Sequence, residues 1–114
     1  MVTGAPQIAQ ADRARWQRQA AGELARILDA HPELPAIAWT VGPAGSVLAG
    51  RVNGLAPAAQ VRETFSAWHA ALALEESREH QLGGGTTWLR AAARRRDVRV
   101  RLTATVFGGG EEGQ

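Results

Sequence analysis

The sequence predicts an α+β fold in the order helix, hairpin, helix, hairpin (αββαββ), with one four-stranded antiparallel sheet and both helices on one of its faces. Three observations carry this: two apolar stripes of helical period, a Gly-Pro turn between short apolar runs, and strict alternation over residues 86–107.

The first stripe runs from Gln7 to His31, where Trp16, Ala20, Leu24, Ile27 and Leu28 recur at intervals of three and four until Pro32 stops the helix. Arg13, Gln17, Arg18, Arg26 and Asp29 then form a solvated side. Gly22 is the weak point, at about 1 kcal/mol relative to Ala. Strands follow over Ala36 to Val41 and Ser46 to Asn53, joined by Gly42-Pro43-Ala44-Gly45. A four-residue loop sets Trp39 beside Leu48 and Ile37 beside Gly50 on the core side. The other side, Ala38, Thr40, Val47, Ala49 and Arg51, is small and fairly apolar for a solvent surface, and is the candidate dimer face. Asn53-Gly54 reads as a turn and Pro57 as the start of a second helix, whose stripe is Val61, Phe65, Trp68 and Leu72. Residues 75–85, EESREHQLGGG, read as a loop and mobile segment. Residues 1–6 and 108–114 read as a disordered N-terminus and a disordered Gly/Glu tail, leaving 7–107 as one domain.

In the stretch TTWLRAAARRRDVRVRLTATVF, Thr87, Leu89, Ala91, Ala93, Val98, Val100, Leu102 and Ala104 fall on one side of a β-ribbon. Trp88, Arg90, Arg94, Arg99, Arg101 and Thr103 fall on the other. An even loop, two residues at Arg95–Arg96 or four from Arg94 to Asp97, preserves these sides, and an odd loop would invert one strand. In that register Arg90 lies opposite Arg101, a like-charge pair that an anionic partner would relieve.

Composition narrows the function classes. All 13 basic residues are Arg and net charge is only +2. With no Lys, Tyr or Cys to titrate, the pI of about 10.9 follows from that small excess and is not itself a nucleic-acid signal. The excess is local, because residues 86–107 hold six Arg against one Asp. The absence of Cys removes disulfides, thiolate metal sites and thiol nucleophiles, and fits a reducing cytoplasm. No apolar run approaches the ~20 residues that span a bilayer, so no membrane partner is expected. The four Trp are expected to carry much of a core otherwise rich in Ala.

Gly83-Gly84-Gly85 lacks the Lys and the following helix of a phosphate-binding loop, and reads as a hinge. His31, His69 and His80 are too dispersed for a local metal motif, and Ser46, Ser66 and Ser77 have no placed base. No catalytic residue, cofactor, metal or small-molecule ligand is expected. What remains is Trp88 with Arg90, Arg94, Arg99 and Arg101, planar cations around one aromatic, as a candidate contact for an anionic partner.

The segments IAWTVGPAGSVLAGRV (37–52), ETFSAWHAAL (63–72) and GGGTTWLRA (83–91) resemble short uncharacterised proteins of actinomycetes, some in phage-like or integrated elements. The resemblance covers most of residues 24–107 and implies a cytoplasmic bacterial protein with the Lys-free composition of high-GC coding. The expected role is a non-enzymatic interaction or accessory domain, homodimeric or with an acidic protein partner. The alternative is a nucleic-acid-binding accessory protein using the arginine face.

Overall fold

The computed structural model describes residues 4–42 and 46–107. Of the N-terminus expected to be disordered over 1–6, residues 1–3 lie outside them, as do the tail 108–114 and the turn residues 43–45, whereas residues 4–6 form the start of a helix. Helix α1 spans Gly4–Ala30, β1 Ala38–Val41, β2 Val47–Val52, α2 Ala58–Ala71, β3 Arg78–Gly83, β4 Thr86–Arg95 and β5 Val98–Val106. The sheet has five strands in the order β1-β2-β5-β4-β3. Both helices cover one face of it.

This corrects the expected four-stranded antiparallel sheet in two respects. First, β2 and β5 run parallel, with Leu48 beside Val100 and Gly50 beside Leu102. Parallel neighbours need a long crossover, and the chain from β2 through α2, β3 and β4 supplies it. Secondly, the expected loop at 75–85 contains β3, antiparallel to β4, with Leu82 as an extra residue where the register slips between Gln81 and Gly83. All six residues of β3 are exposed, so it lacks the apolar alternation by which strands are recognised. Gly83, Gly84 and Gly85 all have positive φ, and Gly84-Gly85 closes a two-residue turn suited to the twist of the flanking strands.

The alternation of the last two strands holds on the side expected, in a different register. Thr87, Leu89, Ala91, Val98, Val100, Leu102 and Ala104 are buried under the helices, joined by Val106. The turn is Arg96-Asp97, both at positive φ, so Arg95 pairs with Val98 and Arg90 with Thr103 rather than Arg101. Arg101 lies opposite Ala92, and the like charges that face each other are Arg94 and Arg99. In the first hairpin the register is likewise moved by two: Trp39 pairs with Gly50 and Val41 with Leu48. A shift of two preserves every face. Gly50 is required there, because a Cβ would stand 2.8 Å from the Trp39 ring.

Of the four Trp, only Trp68 is fully buried, contrary to the expected shared role. Its Nε1 donates to the carbonyl of Pro35 at 2.8 Å, and its ring meets Trp39 and His31 edge-on at 5.6 and 6.3 Å. The indole therefore holds the linker between α1 and β1 against α2. Helix α2 ends at Ala71 with a left-handed residue, Ala73 at φ 53°. The Leu74 N–H donates to His69 O and the Ala73 N–H to Ala70 O, a Schellman closure that carries Leu74 into the core.

Helix α1 begins three residues before Gln7 and ends before Pro32. Its inner side is Ala20, Glu23, Leu24 and Ile27, while Leu28 is 46% exposed. Glu23 is completely buried, yet it belongs to no apolar stripe. Its carboxylate accepts from Arg95 Nε at 3.2 Å and from Arg26 at 3.3 Å, with Arg96 at 3.7 Å. Arg95 is on the core side of β4 and also donates to Leu72 O at 3.2 Å. One buried carboxylate thus ties α1 to the tip of the β4–β5 hairpin and, through Arg95, to the end of α2.

Three outcomes are expected in denaturant unfolding. Gly22→Ala raises stability by about 1 kcal/mol, since the added Cβ meets nothing within 4 Å in the middle of α1. Ala73→Gly also raises it, by roughly 0.5–1 kcal/mol, because glycine adopts the left-handed cap without steric cost. Glu23→Ala lowers it by about 3 kcal/mol and, in a double-mutant cycle with Arg95→Ala, shows coupling above 0.5 kcal/mol; additive effects would remove the clamp.

Candidate functional site

Because both helices pack on one side, the other side of the sheet carries no helix. Side chains there alternate with the buried set, so the pairings of all five strands define its rows. Thr105, Trp88 and His80 form the first. Arg51, Thr103, Arg90 and Arg78 form the second, followed by Thr40, Ala49, Arg101 and Ala92, then by Val47, Arg99 and Arg94. The expected anionic-contact residues Trp88, Arg90, Arg94, Arg99 and Arg101 all lie here. So do the expected dimer-face residues Ala38, Thr40, Val47, Ala49 and Arg51. The two candidate sites are one surface, joined where Val47 pairs with Arg99 and Ala49 with Arg101.

Six arginines share this surface: Arg51, Arg78, Arg90, Arg94, Arg99 and Arg101. Arg99 forms a salt bridge with Glu76 at 3.0 Å, and among the described residues the other five have no ion-pair partner. Arg51, Arg94 and Arg101 are exposed, whereas Arg90 is half-buried with its guanidinium carbon 5.2 Å from the centre of the Trp88 ring. That cation–π contact and the Glu76 bridge offset part of the repulsion in the sheet. The remainder has no compensation within the described chain. Apolar cover is thin over the small residues, since Ala38 and Thr40 are exposed and Val47 and Ala49 half-buried, whereas Ala92 in the row of Arg101 is buried.

Sequence reasoning missed Arg78 and His80 as members of this surface. Arg78 pairs with Arg90, and His80 pairs with Trp88, with ring centroids 5.8 Å apart and planes inclined at 33°. Both are on β3, which lies in the segment expected to be a loop. The signal available was the parity of Arg78 and His80, two apart just before a glycine turn, but it has meaning only once 78–83 is known to pair. Arg51 was recognised only as part of the small-residue face.

A second feature is the cleft of about 380 Å³ between α2 and β3, lined by Arg62, Phe65, Ser66, His69, Glu79 and Leu89, among others. His69 stacks on Phe65 at 6.1 Å, and its Nε2 is buried with no hydrogen-bond partner. Glu79 lies 3.5 Å from Arg62. No hydrogen bond among the described residues joins His69 to Ser66, Ser77 or Glu79, so the cleft holds no assembled nucleophile and base. No group of three or more His, Asp or Glu among the described residues is placed to hold a metal ion. No helix among them is long and apolar enough to cross a membrane.

The chain matches no protein-family model, and no curated protein or solved structure matches it. Its chemistry must be read from the surface itself, which among the described residues is an arginine-based cationic field with Trp88 near one end and the exposed Phe107 beside Thr105.

Proposed function

We propose that this chain is a non-enzymatic interaction domain whose helix-free sheet face holds an anionic macromolecule. The observation that supports this most directly is the convergence of six arginines from β2, β3, β4 and β5 on one side of the sheet, of which, among the described residues, only Arg99 meets a carboxylate, that of Glu76. Cations collected on a surface without partners repel one another and focus field outward, which raises the encounter rate with a polyanion. Guanidinium groups are suited to this, because their planar donors meet carboxylate or phosphate oxygens in pairs and are only weakly hydrated.

The same geometry favours an anionic partner over a second copy of the chain. A two-fold contact centred on Ala38, Thr40, Val47 and Ala49 would bring Arg51, Arg99 and Arg101 of both copies together, and like charges across an interface oppose association. The small-residue strip then serves as the uncharged part of a continuous docking surface.

The test is retention on immobilised heparin, a generic polyanion, against a salt gradient. Arg90→Ala/Arg101→Ala should elute at clearly lower salt than the wild type, with polyanion affinity at low ionic strength reduced about ten-fold or more. Arg13→Ala/Arg18→Ala, on the exposed side of α1, should change elution far less. Equal losses in both double mutants would mean that net charge alone governs binding and would refute the assignment to this face.

A further inference from the structure

We infer that the anionic partner is single-stranded nucleic acid, laid along β4 and β5 with one base on the Trp88–His80 platform. This deepens the proposed function and rests on it. The arginines are not scattered on the face but stepped away from the aromatic pair.

Side chains on one face of a strand recur about every 6.8 Å. Starting from Trp88 and His80, Arg90 is one step along the sheet, Arg101 two, and Arg94 with Arg99 three. The cations therefore stand at about 7, 14 and 20 Å from the aromatic pair, in a line that follows the strands. A flexible polyanion can meet each step in turn. Arg51 and Arg78 flank the first step from β2 and β3, widening the track beside Arg90.

The end of that track separates nucleic acid from an acidic polypeptide. Trp88 is half-buried at the end of the arginine rows, flanked by the tilted ring of His80 and the guanidinium of Arg90. An acidic peptide has use for the arginines but none for an indole framed by two further planar groups. An unpaired base has a π-face to stack on indole, imidazole or guanidinium. In a duplex the bases already stack on one another and the arginines would meet phosphates only, leaving the aromatic pair without a role.

Three steps of charge meeting about three phosphates imply a slope of log affinity against log salt near −2 for a single strand. The experiment is fluorescence anisotropy over a salt series with an oligothymidine of about 12 nucleotides, with a mixed-sequence duplex of the same length, and with a polyglutamate peptide, the Trp emission being followed in parallel. The oligothymidine should bind with that slope and quench tryptophan emission. Arg94→Gln/Arg101→Gln, which leaves Arg90 and Arg99, should move the slope to about −1.4, while Trp88→Leu should cost about ten-fold in affinity and leave the slope unchanged. Trp88→Phe, which keeps a ring, should lose less, and circular dichroism establishes that each variant is folded. Duplex binding as tight as the single strand, or Trp88→Leu indistinguishable from wild type, overturns the inference. Polyglutamate binding that depends on Arg94 and Arg101, with no oligothymidine binding, also overturns it but leaves the anion-binding face standing. No binding of any of the three probes at low salt removes both.

Discussion

Strand β5 lies between β2 and β4, and its buried residues Val98, Val100, Leu102, Ala104 and Val106 are the line on which both helices rest. Because side chains on a strand point alternately to opposite faces, that burial forces Arg99, Arg101, Thr103 and Thr105 to the other side. The core and the cationic surface are therefore one decision, made by the phase of a single strand. A change of register by one residue would bury guanidinium groups beneath α2 and expose valines, at a cost that no local rearrangement could offset.

The two ends of the sheet are handled differently. At the β4–β5 tip the alternation would leave Arg95 facing the core side, and the fold answers with a buried carboxylate, Glu23, rather than with a hydrophobic side chain. Removing Arg95 would leave the buried Glu23 carboxylate with Arg26 and Arg96 alone, so the pair holds α1 in one rotational setting even if its net contribution to stability is small. At the opposite end, His80 and Arg90 bracket Trp88 on the open face. Arginine thus serves inward as half of a structural pair and outward as unpaired charge, and the difference is set only by odd or even position on β4.

The edge strand β3 enlarges the open face. Its residues contribute nothing to the core and are held to β4 by main-chain pairing and the turn at Gly84-Gly85. With it, the surface gains Arg78 and His80, and the aromatic side chain becomes a pair. The charged residues Arg78 and Glu79 also suit an edge, since they discourage pairing with the edge of another molecule.

The sequence by itself determined the α+β class, the two helices, the inward and outward sets of β4 and β5, and the side of the first hairpin that bears Trp39. Each is a periodicity, and periodicity survives without knowledge of neighbours because it is imposed by burial of one face. Only the tertiary structure decided that β2 runs parallel to β5, that residues 78–83 pair as a strand, and that the register of each hairpin is moved by two. Strand order and pairing partners are long-range choices that leave no local pattern, and an even shift leaves the pattern unchanged. Glu23 was invisible for a related reason: a carboxylate inside a helix reads as solvated until the chain brings Arg95 across 72 residues to meet it.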